Sequence, residues 1–344
     1  MPLPIRTDYA PMEAQSDDTL PVGPEWRYEP KWDGFRCLAF RDGAKVDLRS
    51  KSGQPLARYF PETVEALLAL GAKRFVLDGE LVIPSGKSLS FDDLLMRLHP
   101  ADSRVQRLAK ETPALFLVFD LLVDERSRSH VSRPLDDRRK SLEQFARRYF
   151  AKAARIRLSP VTRSARTARS WLTGRSGLDG VMAKLGSATY ASGERTAMKK
   201  IKRLRTADCV VGGFRYASKA KVVGSLLLGL YDDDGLLHHV GFSSSFTAAQ
   251  KVELLRKLEP LVRPPGFTGR APGGPSRWST ERSGEWQPLA PKLAVEVQYD
   301  HFSGERFRHG TKFLRWRPDK DPRQCLMAQV EREARSSLKL LNAR

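Results

Sequence analysis

The stretch Glu29-Pro-Lys-Trp-Asp-Gly-Phe-Arg36 separates two runs that alternate as strands do, at 26–31 and 35–41. An Asp-Gly pair between strands predicts a tight turn, so we expect Lys31 to project its amine into a cleft. A lysine is a nucleophile only when deprotonated, and its reference pKa is about 10.4. Arg36 and two later lysines are therefore predicted to lower the pKa of Lys31. The four-residue pattern KxDG, from Lys31 to Gly34, is short and also occurs in turns that have only a structural role.

The segment around this turn is predicted to form a mixed α and β domain covering residues 1–205. Further strands are indicated by alternating or β-branched apolar residues at 45–49, 74–83, 113–122, 180–184 and 196–202. Helices are indicated at 61–69, 91–98, 136–150 and 164–173. The first helix begins at Pro61 and closes near Gly71, the usual placement of these two residue types.

From residue 206 the pattern changes to short strands, which predicts a second domain over 206–344. The strands are expected at 208–215, 224–231, 236–242, 293–300 and 312–317. A helix at about 247–261 begins with Thr247 as its capping residue, and a Gly/Pro-rich loop follows at 263–275. Five strands with one inserted helix predict a small closed β-barrel of the oligonucleotide-binding (OB) type. The fold class is therefore α+β.

Acidic residues stand at three strand positions of the first domain. Asp78 and Glu80 are two apart on a strand and share one face. Two acids among apolar neighbours are costly unless they bind something, and Mg²⁺ or a ribose hydroxyl would fit them. Asp179 opens the strand at 180–184 and also suits a metal. The alternative for Asp78 and Glu80 is an exposed sheet face.

Aromatic and basic residues complete the set. Phe119 ends an apolar strand and is suited to stack on a purine ring, although a core position is the simpler interpretation. Lys200 and Lys202 share a strand face, where they would bind phosphates or form a solvated basic edge. The segment 307–320 interleaves aromatic and basic residues, a composition typical of phosphate contact.

The charge points to a polyanionic partner. Lys and Arg total 60 against 40 Asp and Glu, a net charge of +20, and the segment 126–170 holds 14 basic residues against three acids. Nucleic acid or an anionic membrane surface is the expected partner class. No stretch approaches the ~20 apolar residues of a membrane span, and the N-terminus has no apolar run typical of a signal peptide. The three cysteines are too far apart for a disulfide framework or zinc site.

The order of these motifs is more specific than any one of them. The set resembles the motifs of the covalent nucleotidyltransferases. In chain order it consists of KxDG, with Arg36 five residues after Lys31, followed by LDGE, FDLL, DGxxxK, KxK and RPDK. From Pro11 to about Pro322 the chain resembles most closely the short two-domain ATP-dependent DNA ligases of bacteria. The resemblance implies a nucleotidyltransferase (adenylation) domain with mixed and antiparallel sheets, followed by an OB-fold domain.

The resemblance also implies residue roles. Lys31 matches the lysine that becomes adenylated, Glu29 the contact to adenine, and Phe119 the residue that stacks on the ring. Glu80 matches the acid for ribose and metal, and Asp179 the second metal acid. The remaining nucleotide contacts that it implies are Arg36, Arg49, Lys51, Lys184, Lys200 and Lys202, with Arg317, Asp319 and Lys320 closing on the pyrophosphate.

Three positions depart from the family pattern. Asp179 stands where the family has Glu and is one methylene shorter. Lys51 replaces an arginine in Ser50-Lys51-Ser52-Gly53 and lacks the arginine fork, so Arg49 is a candidate substitute. Met198 stands where the family usually has Trp.

The implied activity is sealing of nicks between a 3′-hydroxyl and a 5′-phosphate in duplex DNA, through a lysyl-AMP intermediate. The implied cofactors are ATP and Mg²⁺ or Mn²⁺. We expect a monomer in the bacterial cytoplasm or nucleoid, acting in DNA repair or recombination beside a repair polymerase or other repair proteins. We expect no further N-terminal DNA-binding domain and no primase or nuclease domain. The alternatives are an RNA ligase, a capping enzyme, and a DNA-binding scaffold without catalysis.

Overall fold

The computed structural model describes residues 2–86, 88–173, 178–273, 285–331 and 337–341. The first of its two units holds the chain up to Arg203 together with residues 337–341, and the second begins at Leu204. The boundary lies near the predicted one at residue 205. The C-terminal end differs from the prediction, which assigned all of 206–344 to the second domain, because Leu340 and Leu341 pack against a core of the first unit.

The first unit alternates strands with helices. Its strands are β1 (Gln15–Asp17), β2 (Trp26–Lys31), β3 (Phe35–Asp42), β4 (Lys45–Ser50), β5 (Arg74–Val82), β6 (Pro84–Ser85), β7 (Ser88–Leu89), β8 (Leu115–Val123), β9 (Ile156–Leu158), β10 (Gly180–Leu185) and β11 (Met198–Lys202). Its helices are α1 (Pro61–Ala69), α2 (Phe91–Met96), α3 (Asp102–Glu111), α4 (Leu135–Tyr149) and α5 (Ala165–Trp171), with 3-10 turns at Ala57–Tyr59 and Ser337–Leu341. The predicted elements are all found, with ends moved by a few residues. The sequence pattern did not predict α3, β1 or β9.

These strands form two mixed sheets and a small hairpin. One sheet has the order β1-β11-β10-β2 and the other β4-β3-β5-β8-β9, while β6 pairs with β7. In each sheet one edge pair is parallel, β1 with β11 and β8 with β9, and the other pairs are antiparallel. The prediction of mixed sheets is confirmed.

The two sheets share apolar cores. Tyr28 and Val181 of the first sheet lie in one buried cluster with Val82 and Leu117 of the second. In another cluster Met198 packs with residues of β3, β5 and β8. Burial of apolar surface at roughly 25 cal/mol per Å² is what holds such sheets together. Met198 therefore fills core space, whatever the family has at this position.

Local signals fix the helix ends. Pro61 is at the first turn of α1, as predicted. The side chains of Ser90 and Ser164 cap α2 and α5 by accepting from the N–H group three residues on. At the other end of α1, the buried guanidinium of Arg41 donates to the carbonyl oxygen of Leu70 at 2.9 Å. This bond ties α1 to β3.

The second unit is a sheet domain with one longer helix. Its strands are β12 (Arg205–Ala217), β13 (Ala220–Tyr231), β14 (Leu237–Ser243), β15 (Gln287–Pro288), β16 (Ala294–Tyr299), β17 (Phe302–Ser303), β18 (Arg306–Phe307) and β19 (Lys312–Trp316). Its helices are α6 (Ala248–Leu258) and α7 (Ala328–Glu331), with 3-10 turns at Glu259–Leu261 and Pro322–Gln324. Thr247 caps α6 reciprocally with Gln250, as a capping box. Of the predicted loop 263–275, residues 274 and 275 lie outside the described residues.

The main sheet of this unit has the order β14-β13-β12-β16-β19, with β15 beside β12. Within the described ranges, the two edge strands meet at a parallel bridge between Ser243 and Thr311. The N–H of Thr311 donates to the carbonyl oxygen of Phe242 at 2.9 Å. The strand order fits the OB type, but the continuous closed barrel that we predicted is not found in the described residues, where the edge contact is limited to this bridge. No helix among these residues is both long and apolar enough to cross a membrane.

Candidate functional site

Strand register places the sequence motifs on one face of the first sheet. Lys31 on β2 and Lys202 on β11 both pair with Gly180 on the strand between them. Glu29 and Lys200 both pair with the residue two positions further along that strand. Residues two apart on a strand share a face, so these two rows bring together side chains from three distant motifs.

Close packing explains a glycine in each of two motifs. A Cβ added to Gly180 would lie 2.1 Å from the carbonyl oxygen of Ile201 on β11. A Cβ added to Gly34, after the Lys31 turn, would lie 2.2 Å from the carbonyl oxygen of Leu81 on β5. Both contacts are with backbone, which cannot move aside without breaking the sheets. The two glycines thus let β10 approach β11, and the Lys31 turn approach β5.

Lys31 is held by a carboxylate. Its Nζ lies 3.1 Å from Oδ2 of Asp179, and both side chains are largely buried. Burial lowers the pKa of Lys31, but Asp179, Asp33 and Glu80 together raise it above the ordinary value. The prediction that neighbouring cations lower this pKa is therefore wrong for this structure. The carboxylates near the amine outweigh the effect of burial.

Arg36 pairs with a different carboxylate from Lys31. Its Nε and Nη2 donate to the two carboxylate oxygens of Asp78, both at 2.5 Å. Tyr190 also donates its hydroxyl to Asp78, at 2.6 Å. Asp78 is fully buried, so its charge is compensated inside the protein. The prediction that Asp78 binds a metal or ribose beside Glu80 is wrong; Asp78 orients Arg36.

The charge of Glu80 is only partly compensated, because burial outweighs the nearby charges of Arg36 and Lys31. Glu80 pairs across strands with Arg36, yet burial raises its pKa to about 8, and Asp33 and Asp78 add to the effect. Glu80 also lines an open cleft of about 930 Å³ with Lys51. A carboxylate that burial keeps protonated suits a divalent cation, which prefers oxygen ligands. The charge of Asp33 acts on Glu80, and the carboxylate oxygens of Asp33 and Asp179 lie within 4.8 Å of each other. These acids fit Mg²⁺ or Mn²⁺.

A β-bulge sets the position of Phe119. Asp78 pairs with Asp120 and Gly79 pairs with Val118, so that Phe119 is the extra residue on β8. Bulges change the direction of a side chain relative to the regular sheet. The Phe119 ring lies 4.6 Å from the guanidinium carbon of Arg36 and 4.5 Å from Nζ of Lys184. The ring therefore belongs to a polar cluster and is not simply a core aromatic.

The same cluster contains Glu29. Nζ of Lys184 donates to Glu29 at 2.7 Å, and both side chains are buried. The structure thus brings together four predicted nucleotide contacts: Glu29, Arg36, Phe119 and Lys184. Each charged member has a partner, and the aromatic ring lies among them.

The departures around Lys51 are resolved by two residues that sequence reasoning missed. Lys51 forms an ion pair with Glu13 at 3.0 Å, and Glu13 also pairs with Arg195 at 2.8 Å. Arg49 instead pairs with Asp47 at 2.7 Å. Lys51, and not Arg49, therefore lines the cleft, together with Arg36. Glu13 lies before the first motif, in a segment with no recognisable pattern, so nothing in the sequence marked it.

The paired lysines on β11 differ in environment. The pKa of Lys200 is lowered, first by burial and then by the charges of Lys51, Lys202 and Lys31. Lys202 is exposed. Lys199, which precedes Lys200 on the strand, points to the opposite face and pairs with Asp17 at 2.8 Å. A phosphate bound at the half-buried amine of Lys200 would offset the repulsion between this amine and the neighbouring lysines.

The second unit holds the last motif. Arg317 donates from Nε and Nη2 to Asp319, at 3.0 and 2.8 Å, and from Nη1 to Asp208 at 2.7 Å. Nζ of Lys320 lies 3.8 Å from the other oxygen of Asp208. Arg317 lowers the pKa of Asp319 to about 2. Sequence reasoning missed Asp208, which stands on β12, far from this motif in sequence.

The basic segment 126–170 is less available than its charge suggests. Arg138 is buried against Asp120 at 2.9 Å. Arg139 pairs with Glu143 at 2.8 Å on α4. Part of the predicted polyanion-binding charge therefore stabilises the fold.

Comparisons with known proteins agree along the chain. The family described as ATP dependent DNA ligase domain matches residues 11–202, and the ATP dependent DNA ligase C terminal region matches residues 219–320. DNA ligase C2 of Mycolicibacterium smegmatis is 44% identical over 357 aligned residues, covering 98% of both chains. DNA ligase C of Mycobacterium tuberculosis is 43% identical, also covering 98% of both.

The fold agrees as well. A solved structure from a study of Lig E DNA ligases superposes with a TM-score of 0.55 at 19% identity, covering 90% of this chain and 99% of that one. At this identity the likeness concerns the fold alone. Together with the two domain matches and the relatives above 40% identity, it leads to one conclusion: the chain belongs to the ATP-dependent DNA ligases.

Proposed function

We propose that this protein seals nicks in duplex DNA by way of an AMP group carried on Lys31. The observation that carries the proposal is the convergence, within the first unit, of the Lys31 amine, the Lys200 amine and the Glu29–Lys184–Phe119 cluster. One part offers a nucleophile, one a cation for phosphate, and one an aromatic and polar surface for a purine. The family membership supports the same reading.

In the first step Nζ of Lys31 attacks the α-phosphorus of ATP. A P–N bond forms, the bond to the bridging oxygen of the β-phosphate breaks and pyrophosphate leaves. The Lys31 ammonium gives up two protons to water in all and keeps one N–H. Glu29 and Lys184 would contact adenine, Phe119 would stack on it, and Arg36, Lys51, Lys200 and Lys202 would hold the phosphate charge.

The raised pKa of Lys31 sets a requirement on this step, because the ammonium must be deprotonated first. Mg²⁺ or Mn²⁺ held by Glu80 and Asp179 would offset phosphate charge and weaken the hold of those carboxylates on the ammonium. The lone pair becomes available when Asp179 no longer neutralises Lys31.

In the second step the AMP passes from Lys31 to the 5′-phosphate of the nick, and the P–N bond breaks. In the third, the 3′-hydroxyl attacks that phosphate and AMP leaves. Lys200 and Arg36 would stabilise charge in both steps, since positioning and charge stabilisation dominate phosphoryl transfer. Arg317, Asp319 and Lys320 would serve only the first step, at the pyrophosphate.

We assign the adenylation domain to residues 1–205 and the OB-fold, DNA-binding domain to the rest, with the end of the chain returning to the first unit. The net charge of +20 supports binding of duplex DNA through phosphates. The proposed setting is DNA repair or recombination in the bacterial cytoplasm or nucleoid, with a repair polymerase or other repair proteins as partners. A monomer is proposed.

The test is incubation of the purified protein with α-³²P-ATP and Mg²⁺, a denaturing gel, and a chase with nicked duplex DNA. We expect a labelled protein band that disappears as the nick is sealed. Labelling by GTP in place of ATP would favour a capping enzyme, and sealing confined to RNA an RNA ligase. DNA binding without any labelled band would favour the scaffold and overturn the proposal.

A further inference from the structure

Asp208 joins two cations of the last motif. One of its oxygens accepts from Nη1 of Arg317 at 2.7 Å, and the other lies 3.8 Å from Nζ of Lys320. Two like charges this close repel, and a shared carboxylate removes that cost. Asp208 therefore holds the two cations next to each other.

Asp208 is itself firmly placed. It stands within β12, where it pairs with Glu296 of β16. The side chain of Gln329 accepts from its N–H and donates to its carbonyl oxygen, both at 2.9 Å. Its side chain is 17% exposed. The backbone of Asp208 is thus fixed by the neighbouring strand and by Gln329, and its largely buried carboxylate is held by Arg317.

The orientation of Arg317 depends on this carboxylate. Asp319 takes Nε and Nη2, but it is only two residues away and moves with the same turn. Asp208 is 109 residues away in sequence and belongs to the sheet. It is therefore the contact that fixes the guanidinium plane relative to the domain.

We propose that Asp208 is a positioning residue for the pyrophosphate portion of ATP, acting through Arg317 and Lys320. The inference rests on the proposed function and adds to it a residue from outside the recognised motifs. Because pyrophosphate leaves in the first step, Asp208 matters when Lys31 is adenylated and in the reverse reaction. It does not matter when an AMP group already on DNA is released.

The test compares Asp208→Asn with two other variants. Asp208→Glu keeps the charge, and Glu296→Gln removes a carboxylate directly opposite, whose partner is Arg315 at 2.7 Å. Three rates are measured on the full chain: lysyl-AMP formation from ATP, discharge of lysyl-AMP by inorganic pyrophosphate, and sealing of a nick that already carries a 5′-AMP. Circular dichroism and thermal melting check the fold.

We expect Asp208→Asn to slow the first two reactions about 10- to 100-fold, the range for loss of a hydrogen bond between charged groups. Sealing of the pre-adenylated nick should stay within about twofold, since the charge-assisted bond is not used there. Asp208→Glu should recover much of the loss, and Glu296→Gln should behave as wild type.

Two results would overturn the inference. One is lysyl-AMP formation by Asp208→Asn at the wild-type rate. The other is an equal loss in all three reactions, which would make Asp208 a folding residue. A wild-type protein that forms no lysyl-AMP would instead refute the proposed function, so the two failures are distinguishable.

Discussion

Both units pair their clustered cations with carboxylates, but at different depths. In the first unit Glu29 is 2% exposed and Asp78 is not exposed at all, so the pairs with Lys184 and Arg36 are buried. In the second unit the side chain of Asp319, which holds Arg317, is 59% exposed. Cations are thus paired with carboxylates in the interior of the first unit, and Arg317 is paired with an exposed carboxylate in the second.

The difference has an energetic meaning. Removing one partner of a buried ion pair leaves an uncompensated charge and costs about 3–5 kcal/mol. Exposed pairs contribute only about 0–1 kcal/mol, so they exchange partners easily. The buried pairs therefore keep the nucleotide cluster in shape. In the second unit Arg317 is able to trade the exposed Asp319 for a phosphate while it keeps the more buried Asp208.

The largest expected effect is chemical. Lys31→Ala should abolish capture of AMP, because it removes the amine that lies beside Asp179 at the proposed site of adenylation. DNA binding should remain. The matched control is Lys199→Ala, which removes a lysine from the same sheet but from the opposite face. Labelling with α-³²P-ATP is the measurement.

A labelled Lys31→Ala protein would show that another side chain is the nucleophile. A label lost equally in Lys199→Ala would show that the sheet, and not one amine, was disturbed. Either result would break the comparison, because the first unit would then not be organised around Lys31.

How far the sequence carried these conclusions differs from residue to residue. Lys31, Glu29 and Lys200 were predictable, because period-two alternation fixes which residues of a strand share a face. The bulge that displaces Phe119 was not, since it depends on how β5 pairs with β8. Residues that are close in sequence can be recognised as a motif, whereas the register between two paired strands is set only when the sheet has folded.

Partner choice was the other gap. From the sequence we predicted that Arg36 acts as a neighbouring cation of Lys31, but in the folded protein Arg36 pairs with Asp78. Asp208 and Arg317 are 109 residues apart, and no spacing rule links them. Ion pairs between distant segments follow from tertiary packing, so neither the pKa direction of Lys31 nor the role of Asp208 was accessible from the chain alone.

The next expected effect compares the loss of a buried ion pair with the loss of an exposed one. Glu29→Gln leaves the buried ammonium of Lys184 without its carboxylate and should lower the free energy of unfolding by about 3–5 kcal/mol. Asp319→Asn, in the exposed cluster, should leave the stability unchanged within error. Urea denaturation without nucleotide measures both. Equal losses in the two variants would remove the distinction between the units.

The smallest expected effect concerns Glu80, whose pKa of about 8 lies above its ordinary 4.5. Between these values the folded protein retains a proton that the unfolded chain releases. The free energy of unfolding therefore falls as pH rises through this window. Glu80→Gln removes that dependence, so the variant should match wild type near pH 5 and melt higher at pH 8. Since about 1 kcal/mol moves the melting temperature of a domain this size by roughly 2–4 °C, the difference is measurable.

Magnesium sharpens the same experiment. If Glu80 binds the cation, Mg²⁺ favours the ionised carboxylate and should raise the wild-type melting temperature at pH 8, but not that of Glu80→Gln. Glu296→Gln, a loss of charge in the other unit, should respond to Mg²⁺ as wild type does. An equal response in all three proteins would place the cation elsewhere. Glu80 would then serve another purpose, and the ion pairs of the first unit would not explain why a carboxyl group with a raised pKa stands at this position.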